Sequence, residues 1–404
     1  MSVAAGDKAD HRAERSPTSV EALREETVLS PFLQKLSRSA PFLFMGVLIF
    51  GALAWRPTTA PIELETLASA WHMHLRGALV PLRNGVAAPE IPPLLHWLIL
   101  GGWRIGGVRG WGPRLVPALA SIGTVILIGR TALVLWPHRA ATPIFARLLL
   151  TGVGAFAVAM TMVEPQTVAL PFILASFHAL SALWMGRPGF FRTLFGWILS
   201  AAAAAIGVVA GGWRWGLYPV VWAIGIWEVD ETTRQERNAF LWLLGGVVIS
   251  LLALLPAWLW LDRFGDPERL LYFGNGWIDP ATEASRAAPW SLLLLPVALF
   301  PWICWKTLWR ALSRHLRETV GVGFRLCLAF LAASCAAGLV SGWQLVAQLA
   351  ILCPLALLGA RLLATQEIKP RDFHAVVPGF FALFVGLIFF LMNIVPTAHL
   401  DAVW

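Results

Sequence analysis

The chain has 404 residues, 58% of them hydrophobic and only 13% charged, with a mean hydropathy of +0.69. Those values exclude a water-soluble domain of ordinary composition and describe a polytopic membrane protein, an all-α bundle of apolar helices. The net charge of +8 is dispersed over short loops between apolar runs, which fits topology signals and anionic headgroups and leaves no nucleic-acid surface to argue for.

Residues 1–39 are polar and mixed in charge, with no apolar core behind a short basic start. They are expected to be a cytoplasmic tail and not a cleaved signal peptide. The apolar run from Pro41 to Trp55 then delivers the next stretch, Pro57 to Pro93, to the outside. That stretch is the longest polar interval of the membrane-embedded part, and it gathers Glu63, Glu65, Glu90, His72, His74, Arg76, Arg83 and Asn84. From Ala60 to Arg76 the spacing predicts a helix. Leu64, Leu67, Trp71 and Leu75 share one face, while Glu65, Ser69, His72 and Arg76 share another. Pro61 suits the first turn, Glu63 favours the positive helix start, and such a helix lies in an interface more readily than it spans.

Charge decides how the following run, Pro92 to Trp103, is placed. If it crossed the membrane, the loops carrying His138, Arg139 and Arg147, then Lys306, Arg310, Arg314 and Arg317, then Lys369 and Arg371 would all land outside. If it lies along or partly enters the membrane, they land in the cytoplasm, as the positive-inside bias requires. The second placement gives about eleven spans, near 41–55, 114–136, 147–163, 166–186, 192–211, 214–228, 238–261, 288–305, 323–341, 343–363 and 374–395. The expected organisation is one transmembrane domain over 40–395, with a first extracytoplasmic loop at 57–113 and a second at 262–288. A short tail, 396–404, follows. His178, inside a span, reads as a hydrogen-bonded packing residue. The cysteines Cys304, Cys327, Cys335 and Cys353 lie in or beside apolar runs without metal-ligand spacing, so neither disulfides nor a cysteine metal site is expected.

Several segments resemble the GT-C membrane glycosyltransferases, in particular the branch of lipid A aminoarabinose transferase and the related protein mannosyltransferases. They are Ile62-Glu63-Leu64-Glu65, Val80-Pro81-Leu82-Arg83-Asn84-Gly85, Glu90-Ile91-Pro92-Pro93-Leu94-Leu95-His96-Trp97 and Arg114-Leu115. Pro289-Trp290, Phe300-Pro301-Trp302 and the run from Cys353 to Leu358 are similar to later parts of the same branch. The likeness covers roughly 41–364.

The resemblance implies a helix bundle with extracytoplasmic loop helices, set in the cytoplasmic membrane with the N-terminus inside. It also implies transfer of a sugar from a polyprenyl-phosphate donor to a lipid, glycan or protein acceptor at the outer face. Such a transfer needs a carboxylate near the reacting carbon or acceptor, and a cation or a divalent metal for the departing phosphate. Glu63 matches the family's glutamate and is the candidate base. Glu164 stands at a span end where the family often has an acid. Glu65 and Asn84 are candidate substrate-binding residues. Where the family has Asp and Lys this chain has Ile62 and Ile91, so the phosphate partner would be Arg83 or Arg214, each offering a bidentate guanidinium. Glu90 and His96 would be the ligands of a divalent metal. The same departures leave a second reading, a catalytically inactive relative serving as subunit or lipid-binding scaffold. A transporter of a lipid-linked substrate is a third, although paired broken half-helices and internal hydropathy symmetry are not visible.

Overall fold

The computed structural model describes residues 31–55, 61–186, 190–227, 239–265, 299–315, 321–340, 349–364 and the short pieces 383–384 and 386–387. Contacts divide the chain between Ala40 and Pro41, inside the first helix, and the bundle and the site described below lie in the second unit. Among the described residues the helices, in chain order, are α1 (Pro31–Trp55), α2 (Pro61–Arg76), α3 (Leu94–Gly106), α4 (Gly112–Leu135), α5 (Thr142–Thr151), α6 (Gly154–Ala159) and α7 (Pro165–Met185). They continue with α8 (Phe190–Gly211), α9 (Tyr218–Trp227), α10 (Ala239–Phe264), α11 (Lys306–His315), α12 (Val322–Val340) and α13 (Leu349–Leu363). A two-stranded antiparallel sheet, β1 (Leu82–Arg83) with β2 (Val86–Ala87), interrupts them. The chain is therefore a mostly helical integral membrane protein.

Among the described residues, four helices are long and apolar enough to cross a membrane: Gly112–Leu135, Pro165–Met185, Phe190–Gly211 and Leu241–Phe264. They agree with the spans read near 114–136, 166–186, 192–211 and 238–261. Two expected spans are built differently. The run 147–163 divides into α5 and α6, because Val153 turns to an extended backbone and the Gly154 N–H bonds the Phe300 carbonyl at 3.3 Å instead of continuing a helix. The run 214–228 begins as a 3-10 turn, Trp213–Leu217, and becomes α-helical only at Tyr218, which puts Arg214 ahead of the helix. The tail at 1–30, most of the loop at 262–288, much of the spans at 288–305 and 374–395 and the tail at 396–404 lie outside the described residues.

Helix α3, read from charge as a run that does not cross, has 13 residues. At 1.5 Å per residue that is about 20 Å, short of the roughly 30 Å of a hydrocarbon core. The core forms where α7 packs against α4 and α8, α8 against α10, α9 against α10 and α12, and α5 against α13. Small residues allow the closest of these approaches. A Cβ at Gly211 would drive into the Trp215 indole and the Ala169 methyl, so glycine lets α8 end against α7 with Trp215 tucked between. His178 is held as expected, its Nδ1 lying 3.2 Å from Thr131 Oγ1.

Candidate functional site

The site begins with α2. Its inward residues are Glu63, Thr66, Ser69, Ala70 and Met73, all buried, while Leu64, Trp71 and Leu75 are exposed. Of the apolar face read from the sequence, Leu67 packs on the core while the other three point away from the protein. Of the polar face only Ser69 is buried, and Glu65 and Arg76 are exposed.

Behind α2 the chain folds a hairpin. Asn84 (φ 51°) and Gly85 (φ 79°) both adopt left-handed backbone, the requirement of a two-residue type I′ turn, for which Asn-Gly is the preferred pair. Cross-strand pairs Leu82 with Ala87 and Arg83 with Val86 follow. The hairpin is pinned to α2 by three contacts. The Leu82 N–H donates to Ser69 Oγ at 3.2 Å, the Arg76 guanidinium donates to the Gly85 carbonyl, and Arg83 Nε lies 3.2 Å from Glu65 Oε1. Two tryptophans hold the chain on either side of the hairpin. Trp97 Nε1 donates to the Leu79 carbonyl at 2.8 Å and Trp260 Nε1 to the Pro89 carbonyl at 3.0 Å.

Between α2, the hairpin and the start of α3 lies a cavity of about 340 Å³, bordered by Glu65, Ser69, His72, Arg83, Asn84 and His96 together with Ile91 and Pro165. Four of the residues singled out from the sequence, Glu65, Arg83, Asn84 and His96, thus meet on one space. Glu90 does not border it, although its neighbour Ile91 does. Ile91 is the position where the resemblance has lysine, so the cavity carries an apolar patch there.

A second group of residues is buried beside Pro165. Glu63 is fully buried, and its Oε1 accepts the Val163 N–H at 2.9 Å, joining two parts of the chain that are 100 residues apart. One residue further on, Glu164 is 4% exposed and takes the extended cap position of α7 without capping it through its side chain. Burial pushes the Glu164 carboxyl up to about 8; the Gln166 backbone N–H and the Arg214 charge pull it down, and Glu63 raises it further. Arg214, 6% exposed, sits in the turn before α9 with its guanidinium 5.9 Å from the Trp215 ring centre. Burial lowers it to about 10, and Tyr218 and Glu164 act in the opposite sense. Glu164 thus lies within electrostatic reach of both Glu63 and Arg214, which come from two other parts of the sequence. Residues that the sequence did not single out support them. Trp215 Nε1 donates to Gln166 Oε1 at 2.9 Å, and Gln166 Nε2 donates to the Gly211 carbonyl at 3.2 Å. Gln166, two residues after Glu164 at a helix start, was the available signal for this network.

Glu90 Oε2 and both ring nitrogens of His96 are buried without a partner in hydrogen-bonding geometry among the described residues, as ligands of a divalent ion would be. Burial lowers the His96 imidazole to about 4. Among the described residues, however, no three of His, Cys, Asp and Glu come together in a metal-binding group. Two ligands fall short of the three protein groups that a catalytic zinc uses, so Glu90 and His96 alone do not fit a metal centre.

No protein-family model matches the sequence, and no curated protein does. Solved structures do. The structure of ArnT from Cupriavidus metallidurans bound to undecaprenyl phosphate aligns with a TM-score of 0.64 at 18% identity, over 90% of this chain and 64% of that one. Its apo state aligns at 0.62 and 19%, over 85% and 62%. The Archaeoglobus fulgidus oligosaccharyltransferase in complex with Zn and sulfate aligns at 0.53 and 10%, over 86% and 53%. The chain thus spans somewhat under two thirds of the length of the structures it matches, and it shares with them the GT-C fold.

Proposed function

We propose that this GT-C-fold chain is an integral membrane glycosyltransferase that takes a sugar from a polyprenyl-phosphate donor and passes it to an acceptor hydroxyl at the outer face of the cytoplasmic membrane. The observation that carries the reading is the convergence of Glu63, Glu164 and Arg214 in one buried group, next to a polar cavity built from the first loop. A carboxyl poised near neutral pH is what a general base needs. In this scheme the acceptor oxygen attacks the anomeric carbon, the bond from that carbon to the phosphate oxygen breaks, and its electron pair leaves with the polyprenyl phosphate. Glu164 receives the acceptor's proton, with Glu63 held beside it by the Val163 N–H. Arg214 offsets the negative charge that grows on the phosphate, and Arg83 and Asn84 meet the donor where it enters. Undecaprenyl phosphate in the ArnT structure supports the choice of donor class. A divalent ion such as the Zn of the oligosaccharyltransferase complex would need a ligand from beyond the described residues, and no step here runs through one. The domain limits 40–395, 57–113 and 262–288 belong to the same proposal, as do the cytoplasmic N-terminus and the outward first loop.

The test is transfer of label from undecaprenyl phosphate carrying a radiolabelled sugar, with the chain in nanodiscs and envelope lipid as acceptor. The wild type should release bare undecaprenyl phosphate and Glu164→Gln should do so at a small fraction of that rate. Undiminished turnover in the variant removes Glu164 as the base. One observation favours a second reading, a carrier-binding relative without activity: Ile91, 7% exposed, borders the cavity where the resemblance has lysine. In that case the wild type binds the labelled donor and leaves it intact.

A further inference from the structure

His96 is 1% exposed, yet its ring borders the cavity, and neither of its nitrogens meets a partner in hydrogen-bonding geometry among the described residues. A buried polar group left in that state costs about as much as a lost hydrogen bond, so the ring is arranged for a group that the described chain does not supply. An uncharged imidazole has one N–H to give and one bare nitrogen that must accept. Phosphate oxygens can take the N–H but bring no hydrogen to the bare nitrogen. Sugar hydroxyls both accept and donate, so they can satisfy both.

The neighbouring groups point the same way. Thr66, Ser69 and Asn84 border the same space and are uncharged. Ser69 Oγ already accepts the Leu82 N–H, so its own hydrogen remains to be given. The charged side chains of the cavity, Glu65 and Arg83, are engaged with each other and half exposed. A volume of about 340 Å³ is at the small end of ligand pockets, suited to a single sugar and not to a polyprenyl tail.

We propose that His96 is the specificity-determining residue of a hydroxyl-binding subsite in this cavity, seating the neutral sugar of the donor with the phosphate directed away from it. This rests on the donor class proposed above and adds which end of the donor the cavity reads. It also gives His96 a role that needs no metal.

The experiment uses the full chain in nanodiscs and two kinds of probe, bare undecaprenyl phosphate and undecaprenyl phosphates carrying glucose, galactose or N-acetylglucosamine. The wild type should bind at least one sugar-bearing carrier about tenfold more tightly than the bare one, the scale of one buried hydrogen bond whose loss leaves an unpaired group. In His96→Leu that margin should vanish while the bare carrier binds as before, which also reports that the variant is folded. His96→Gln, which keeps an acceptor and a donor, should retain the margin to within about threefold. The subsite is overturned if His96→Leu keeps the margin, if it weakens both probes alike, if Gln behaves as Leu, or if the wild type shows no margin. A wild type that binds neither kind of carrier overturns the donor reading itself, and the subsite with it.

Discussion

Glu164→Gln is the substitution whose two effects have opposite signs. The carboxyl is buried and its pKa is pushed from the ordinary 4.5 to about 8. At pH 7 about a tenth of it is ionised, so a reaction that uses Glu164 as base should quicken close to tenfold per pH step below 8 and level off above. Gln keeps the shape and cannot take a proton, so transfer should fall by about 10² to 10⁴ and the pH dependence should disappear. Stability runs the other way. Because the folded value lies above the unfolded one, the neutral carboxyl's contribution is complete below pH 4.5 and is lost as pH rises through 8. The linkage amounts to about 5 kcal/mol as an upper bound. Glu164→Gln should therefore melt with the wild type near pH 5 and above it at pH 9, when unfolding of the detergent-solubilised chain is followed by tryptophan fluorescence. A variant that transfers sugar normally, or whose melting advantage does not grow with pH, refutes both the burial argument and the role assigned to this acid.

Three further outcomes follow from the site. Glu63→Ala should lower stability by about 1–3 kcal/mol, since it removes the acceptor of a buried N–H, that of Val163; Glu63→Gln should restore most of it, as a melting comparison of the two would show. Arg83→Ala breaks an ion pair whose side chains are 48% and 62% exposed; melting should shift little, because such pairs contribute at most about 1 kcal/mol. If Arg83 meets the phosphate, the same variant should bind undecaprenyl phosphate about tenfold more weakly, with a smaller dependence on salt. Gly85→Val places a β-branched residue at φ 79°, where it is strained by about 1–2 kcal/mol, and crowds the Arg76 guanidinium. Limited proteolysis should cut it near residue 85 while the wild type stays whole.

Much of the architecture was legible because apolar length and helical spacing are local properties. The helix over Pro61–Arg76 follows from periodicity, and the four long helices among the described residues from their apolar length. The hairpin escaped because strands of two residues have no period to detect; Asn84-Gly85 was its only local mark. Which face of α2 turns inward was not decidable from amphipathicity alone, since lipid and protein core are both apolar. The division of the 147–163 run depended on a bond from Gly154 to Phe300, a tertiary contact. The candidate acids were found one at a time by resemblance, but their meeting was not foreseeable. Glu63 touches the Val163 N–H across 100 residues, and nothing in either segment encodes the other.

The claim on which the account stands is that a polyprenyl-phosphate sugar presents its head here, with the sugar in the space between α2, the hairpin and α3 and the phosphate at the edge of that space, by Arg83 and Arg214. A diazirine placed next to the phosphate of an undecaprenyl phosphate analogue, irradiated with the chain in nanodiscs and mapped by peptide mass spectrometry, examines that claim directly. Saturable labelling should fall within 62–97 and 163–166 and be displaced by unmodified undecaprenyl phosphate. Labelling confined to the other segments, such as 306–315, or labelling that excess carrier does not displace, would contradict it.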